Sequence, residues 1–402
     1  MTEGMFKNTL NKNFGSLGSQ EKKESKLSIE RAYWVAWSQI SGIGPVLLKR
    51  IYQHFQSLEI AWSASTAELG AVEGLGKRIL AAISETRSKL NPEQFLQQHM
   101  QKNPYFWTPA DSEYPQLLWE IPSPPPVLYY RGQVKAEENQ GITPMIAIVG
   151  TRYPTEHGRR WTHKISSTLA QQGFTVVSGM AAGIDGQAHR SCLENGGRTL
   201  AVLGTGVDIA YPSSHRQLHQ EIQQQGLLLS EYSQGTKVDR SNFPARNRII
   251  AGLCRAILVM EAPLKSGALI TARYGNEFGR DVYTLPNSPE VEEAKGCLKL
   301  LHQGAEVIVE VEELLESLGA MPNLDTEKQK QLSIFEQTPI KAMPDLSIQL
   351  TEVLQAVGVE PTAFDLIVQK TGLCTGEVSA ALLQLELFGV IAQLPGMRYQ
   401  RT

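Results

Sequence analysis

The chain has 402 residues, 42% hydrophobic and 20% charged, which is enough for two or three domains with a substantial core. Its net charge of −3 excludes a molecule that is basic throughout, so a polyanion would have to be met by a local patch. Met1 to Ser25 lacks the apolar core of a signal peptide, and no run approaches the ~18 apolar residues of a membrane span. These features predict a cytoplasmic protein. Cys192, Cys254, Cys297 and Cys374 lie far apart without C-x-x-C pairing or neighbouring histidines, a pattern of buried reduced thiols and not of a metal site.

Residues 1–25, rich in Asn, Gly, Ser and Lys, read as a disordered tail. A helical segment, 26–90, follows. It holds two similar elements, Ile40-Ser41-Gly42-Ile43-Gly44-Pro45 and Val72-Glu73-Gly74-Leu75-Gly76-Lys77, each opening a helix. That is the layout of helix-hairpin-helix modules, whose turn amides can hold a backbone phosphate. Residues 26–89 carry eight Lys/Arg against five Asp/Glu. The alternative is a packing hairpin whose glycines only permit close helix contact. Residues 91–141 form a connector with seven prolines between Pro104 and Pro126 and with apolar anchors such as Trp107, Leu117 and Trp119. It is expected to pack along the next domain.

From 142 to 319 short β-branched runs alternate with amphipathic stretches, and each run ends in a polar or glycine-rich turn. This predicts an α/β fold: a Rossmann-like, doubly wound, mostly parallel sheet whose turns converge on one edge. A polar linker, 320–346, leads to residues 347–402. There three helices (about 348–357, 361–371 and 375–388) and a hairpin around Pro395-Gly396 predict a winged helix. That segment has three Lys/Arg against five Asp/Glu, and its third helix carries Glu377 and Glu386 with no basic residue. A recognition helix in a major groove needs Arg or Lys, so this one reads as a protein-docking or regulatory module.

The turn Gly150-Thr151-Arg152, after the strand Ile146–Val149, is neither a G-x-G-x-x-G fingerprint nor a P-loop, but a small hydroxyl residue beside an arginine suits a single phosphate. Ser178-Gly179 ends the next strand. Arg240 to Met260 has four arginines and no acid; Arg246 and Arg248, with Asn247 between them, fall in the first turns of a helix. Cations there oppose the helix dipole, a cost that bound phosphate would offset. Phe243 offers a face for a base. Ser266-Gly267 opens another helix, with Ser266 a candidate N-cap. Asp185 and His189, at i and i+4, read as structural, and Glu231 and Glu261 close two strands. No serine nucleophile elbow is present, and no catalytic, metal or cofactor residue is assigned.

Together these residues resemble the DprA/Smf family of bacterial DNA-processing proteins. The likeness runs through Ile148 to Arg152, Ser178 to Asp185 with His189, Ala201 to Gly204, Tyr211-Pro212, Ser230 to Tyr232, Phe243 to Gly252, Val259 to Ala262 and Ser266 to Ala272. It continues in the tail from Glu377 to Leu382 and at Leu394 to Gly396. The resemblance implies an extended Rossmann-like domain that binds single-stranded DNA without sequence preference. It also implies a protein that helps load the RecA recombinase during natural transformation, with Arg152 and Arg240 at positions of the family's basic groove. A homodimer through the late sheet domain is implied as well. Departures are Ala182, where the family often has Arg, Pro286-Asn287 for Pro-Gly, and Ala294 to Leu298 for Ser-x-Gly-Cys-Asn. Leu298 and Leu301, at i and i+3 on a short helix, share a face; this face, or the neighbouring helix 311–318, would carry the dimer contact and a recombinase contact, the alternative being that both leucines pack inward.

The expected function is a non-enzymatic, single-stranded-DNA-binding recombination mediator. Its grip would consist of Arg152, Arg240, Arg246 and Arg248 with the amides of Gly150, Gly179 and Gly267. One rival is a phosphoribohydrolase-like nucleotide-processing enzyme using Glu231 or Glu261. The other is a protein-interaction scaffold.

Overall fold

A computed structural model describes residues 29–319, 348–358, 362–373, 375–387, 390–394 and 398–401. The expected tail 1–25 and the linker 320–346 lie outside the described residues. The chain divides into two compact units, Met1–Asp325 and Thr326–Thr402.

The first unit opens with helices 29–37, Pro45–Phe55, Leu58–Ser63, Thr66–Gly70 and Lys77–Lys89. Their core is built around Trp34 and Trp37, almost wholly buried, with Leu48, Ile51, Leu58 and Ile83. Local signals set the helix starts. Pro45 follows the cap Gly44, Ser65 and Glu68 form a reciprocal capping box, and the Asn91 side chain accepts from the Gln94 amide. The two glycine turns interlock. Gly42 (φ 86°) lies against Ile79 of the second hairpin, and a Cβ on Gly74 (φ 95°) would stand 2.7 Å from Leu47 of the first. Positive φ calls for glycine at both positions, and close packing on Leu47 adds to it at Gly74, while Gly44 and Gly76 have open space beside them.

The connector does more than pack along the sheet; it joins it. After the helix Pro92–Lys102 it supplies β1 (Phe106–Trp107) and β2 (Leu128–Gly132), with β2 antiparallel to the later strand β6. The strands that follow are β3 (Met145–Val149), β4 (Thr175–Ser178), β5 (Arg198–Leu203), β6 (Leu227–Ser230), β7 (Ala256–Val259), β8 (Asp281–Thr284) and β9 (Glu306–Val307). The sheet order is β1-β2-β6-β5-β4-β3-β7-β8-β9, and every neighbouring pair from β6 to β9 is parallel.

Alternation within the strands builds two cores. Ala147, Val149, Val177 and Ile257 face the helices Asn242–Leu253 and Ala268–Glu277. Ile146, Ile148, Val176 and Leu258 face the helices Glu156–Gln171 and Ile184–Glu194. A strand covered on both sides reads as a continuous apolar run, as Met145–Val149 does. Each buried Val, Leu or Ile contributes roughly 1.5–3 kcal/mol. Chain order reverses between β3 and β7, so the carboxyl ends of these two strands form the topological switch point. Cys192, Cys254 and Cys297 are free and buried; Cys374 lies outside the described residues.

The second unit has helices Ile348–Ala356, Phe364–Thr371 and Thr375–Leu387, and a small antiparallel sheet ordered β10 (Thr362–Ala363), β12 (Arg398–Arg401), β11 (Ile391–Leu394). This is the expected winged-helix arrangement, with β10 added. Arg401 Nε donates to the carbonyls of Leu354 at 3.1 Å and Val357 at 2.9 Å, so one of the few cations of this unit caps its first helix. Leu383, on the third helix, is 60% exposed.

Candidate nucleic-acid interface

At the switch point the turn after β3 is bolted to the end of β7. The Thr151 amide donates to the Glu261 carbonyl at 2.6 Å, and the Glu261 carboxylate accepts from the Thr155 amide and hydroxyl, both at 2.7 Å. Thr155 is the N-cap of the helix Glu156–Gln171, and Glu261 is almost fully buried. In sheets of this kind the N-terminus of the first helix is where a ligand phosphate sits. Here a carboxylate of the chain itself occupies that seat. Thr151 is buried, whereas Arg152 is exposed and Tyr153 is 84% exposed.

The turn after β4 is also internally satisfied. Ser178 is fully buried and its hydroxyl donates to the Ile148 carbonyl at 2.6 Å. The amides of Gly179 and Ala181 donate to Asp185 Oδ2 at 3.2 and 3.4 Å, and the Gly150 amide also acts on this carboxylate. Burial raises the Asp185 carboxyl, while Arg246 and the amides oppose that rise. Arg246 Nη1 donates to the carbonyls of Gly179, at 2.8 Å, and of Val202. Burial pushes its guanidinium down to about 10. A Cβ on Gly179 would collide with that guanidinium, so only glycine fits beneath it. Met180, in the left-handed region at φ 55°, is held in this buried turn.

Asp185 and His189 form no carboxylate–imidazole hydrogen bond. His189 Nδ1 shares a 2.6 Å hydrogen bond with Thr199 Oγ1, and burial drives the imidazole down to about 3.

The helix Asn242–Leu253 begins at the same edge. Arg248 grips Glu231 with both terminal nitrogens, at 2.9 and 2.5 Å, and donates from Nε to the Ser123 carbonyl at 3.0 Å. Asn247 Nδ2 donates to the Gly267 carbonyl at 3.1 Å. The expectation that Ser178, Arg246, Asn247 and Arg248 face a ligand is therefore revised. All are buried and bonded within the chain, because residues 246–253 of this helix are buried on every side. The turn amides of Gly150 and Gly179 are turned toward Asp185. Ser266 stands one residue before the cap Gly267, and its hydroxyl accepts from the Ala268 amide at 3.2 Å; Gly267 is exposed, with open space beside it.

What still faces outward is Arg152 with Tyr153, Arg240, Gly267 and the half-buried Phe243. The Phe243 ring lies over Gly204 and packs on Tyr211, with ring centroids 5.3 Å apart. Sequence reasoning misses Tyr153 and Tyr211 as site residues. Tyr153 stands one residue from Arg152, and Tyr211 is marked only as part of the Tyr211-Pro212 likeness, with no site role. The edge thus presents guanidinium groups beside aromatic faces, an arrangement suited to phosphates and unpaired bases. Among the described residues no His, Cys, Asp and Glu group could hold a metal ion, and no helix is long and apolar enough to cross a membrane.

A mixed α/β sheet with this edge, joined to a winged helix, defines a class of DNA-handling proteins, and similarity to known proteins agrees. The family model for DNA recombination-mediator protein A matches residues 105–319, and that for the DprA winged helix domain matches 337–397. The chain belongs to the DprA/Smf family. Protein Smf of Synechocystis sp. is 58% identical over 393 residues, 92% of this chain and 99% of that protein. Protein Smf of Escherichia coli is 38% identical over 72% of this chain and 75% of its own length. The solved structure of DNA processing protein A from Streptococcus pneumoniae superimposes with a TM-score of 0.62 at 33% identity, covering 71% of this chain and 97% of that one.

Proposed function

We propose that the carboxyl edge of the sheet holds single-stranded DNA without reading its sequence. Arg152 and Arg240 meet phosphates, and the Phe243–Tyr211 pair takes a base. In this reading the protein is a cytoplasmic, non-enzymatic recombination mediator that shields incoming DNA and passes it to the RecA recombinase during natural transformation. It works as a homodimer through the helix Lys295–His302, where Leu298 and Leu301 are both half-buried.

One observation carries the reading. The strand-end carboxylates Glu231 and Glu261, with Asp185, are turned inward onto donors of the chain, while Arg152 and Arg240 stay exposed. The edge is left with Arg152, Arg240 and aromatic surface facing outward, and with exposed Asp239 beside Arg240 bonded to the Ser241 amide and hydroxyl. The same observation weighs against a phosphoribohydrolase, since Glu231 is held by Arg248 and Glu261 by Thr155, and neither is free to act on a substrate.

A gel shift comparing single- and double-stranded oligonucleotides at two salt concentrations tests the reading. Salt-sensitive retention of oligo-dT in preference to duplex is expected. No retention of either would overturn it, and release of free base from nucleoside monophosphates would establish the enzyme instead.

A further inference from the structure

The helix Glu156–Gln171 starts at the carboxyl edge and lies on the opposite face of the sheet from the helix Asn242–Leu253. Its inner side is Gly158, Thr162, Ile165, Ser166 and Leu169. Its outer side carries exposed Arg159, Arg160 and Lys164, continuing from exposed Arg152 and Tyr153. Residues 152–164 hold four Lys/Arg and one acid, Glu156, in a chain where acids outnumber bases by 41 to 38. Among the described residues, none of these four cations is in an ion pair. Lys164 Nζ lies 5.1 Å from the centre of the half-buried Trp161 ring, which keeps the cation over an aromatic face. Cations in the first turns of a helix oppose its dipole.

We propose that this helix face is a second contact line for the same single strand. The proposal rests on the reading above. Arg152 sits at the crest between the two faces. A strand held by Arg240 and Phe243 on one side crosses Arg152 and runs down the other along Arg159, Arg160 and Lys164, with Tyr153 offering a base a stacking surface at the crossing. From residue 156 to residue 164 the helix rises about 12 Å, which sets the added path. The occupant is a polyanion because the surface is an unpaired row of cations. It is a single strand because an exposed tyrosine at the bend suits an unpaired base.

The test uses the full chain with Arg159→Gln, Arg160→Gln and Lys164→Gln combined, and oligo-dT of about 6 and about 20 nucleotides. All three residues are exposed, and an unchanged thermal melt confirms that the variant is folded. The short oligonucleotide should bind within about twofold of wild type, because it fills only the crest and the Phe243 side. The long one should lose about tenfold, with a salt slope shallower by about 2, at about 0.7 per lost phosphate contact. Unchanged binding of both lengths, or equal loss on both, would overturn the second line. Arg152→Ala separates the two readings: if it weakens both lengths while the triple variant changes nothing, the crest stands and only the second line falls. If Arg152→Ala changes nothing, the crest itself is refuted.

Discussion

Glu261 and Thr155 lie 106 positions apart and meet at the switch point, where the carboxylate caps a helix by accepting from both the amide and the hydroxyl of the threonine. Charge-assisted hydrogen bonds of this kind stabilise by roughly 1.5–3 kcal/mol each when little solvent reaches them. Glu261→Ala should therefore lower unfolding stability by about 2–4 kcal/mol, and Thr155→Val, which removes only the hydroxyl, by about 1–2. Urea unfolding measures both. A Glu261→Ala variant of wild-type stability would show that the carboxylate is not a brace.

Gly158 packs against the same carboxylate. A Cβ there would stand 2.6 Å from Glu261 Oε2. Replacing a helical glycine by alanine ordinarily stabilises by about 0.5–1 kcal/mol. At this position the sign should reverse, with Gly158→Ala losing about 1–3 kcal/mol through overpacking. A raised melting temperature would contradict so close an approach.

Three buried histidines make stability depend on acidity. Burial lowers His189, to about 3, and also lowers His215 and His219. His189 stays neutral in the folded chain down to about 3, and His215 and His219 take up protons less readily folded than unfolded, whereas the unfolded chain takes up protons below about 6.5. Stability should accordingly fall as pH drops through 6.5 toward 3, by up to about 1.4 kcal/mol per pH unit for each group within its window. Asp185, raised by burial, acts the other way near the acid end, since its protonation favours the folded state. Urea unfolding at several pH values should show a shallower acid slope for His189→Gln than for wild type. Equal slopes would remove His189 from the account.

Leu298 and Leu301 are half-buried and outside the packed cores of the sheet. Leu298→Glu should therefore give a folded monomer that binds DNA more weakly and loads recombinase poorly. Light scattering with a strand-exchange assay reads both effects. A variant that stays dimeric and active would exclude this face from the contact.

The winged-helix unit has little positive charge to offer, and Arg401 is committed to a helix end. Deleting residues 347–402 should leave single-strand affinity within a few-fold of the full chain. Sequence-preferring duplex binding by the isolated tail would overturn its reading as a protein-docking module.

The central sheet is legible in the sequence because each β-branched run from Met145 onward ends in a turn at regular spacing. The antiparallel extension is not. β1 is two residues long and lies among prolines, so neither alternation nor length marks it. The sequence marks Arg152 and Arg240 as outward cations, and both are exposed. It marks Arg246 and Arg248 in the same way, yet they point inward, where side-chain direction depends on partners 67 and 44 positions away for Arg246 and at Glu231 for Arg248. One signal is available. Ile249-Ile250-Ala251-Gly252-Leu253 follows directly, so this helix has no polar face into which its arginines could project. The carboxylates are harder still, because a glutamate ending a strand looks identical whether it waits for a substrate or for a threonine of the same chain.

The turns of the N-terminal helices bind the two repeats to each other. Gly42 lies in contact with Ile79, and Gly74 approaches Leu47 too closely for a side chain, so each repeat packs on the other's turn. Neither copy can be deleted, lengthened or exchanged by itself without leaving a mismatched turn. A chain cut after Gln56 would keep the first motif and lack Leu58, Leu69, Val72, Leu75 and Ile83 of the shared core. The two halves therefore fold as parts of one packed core.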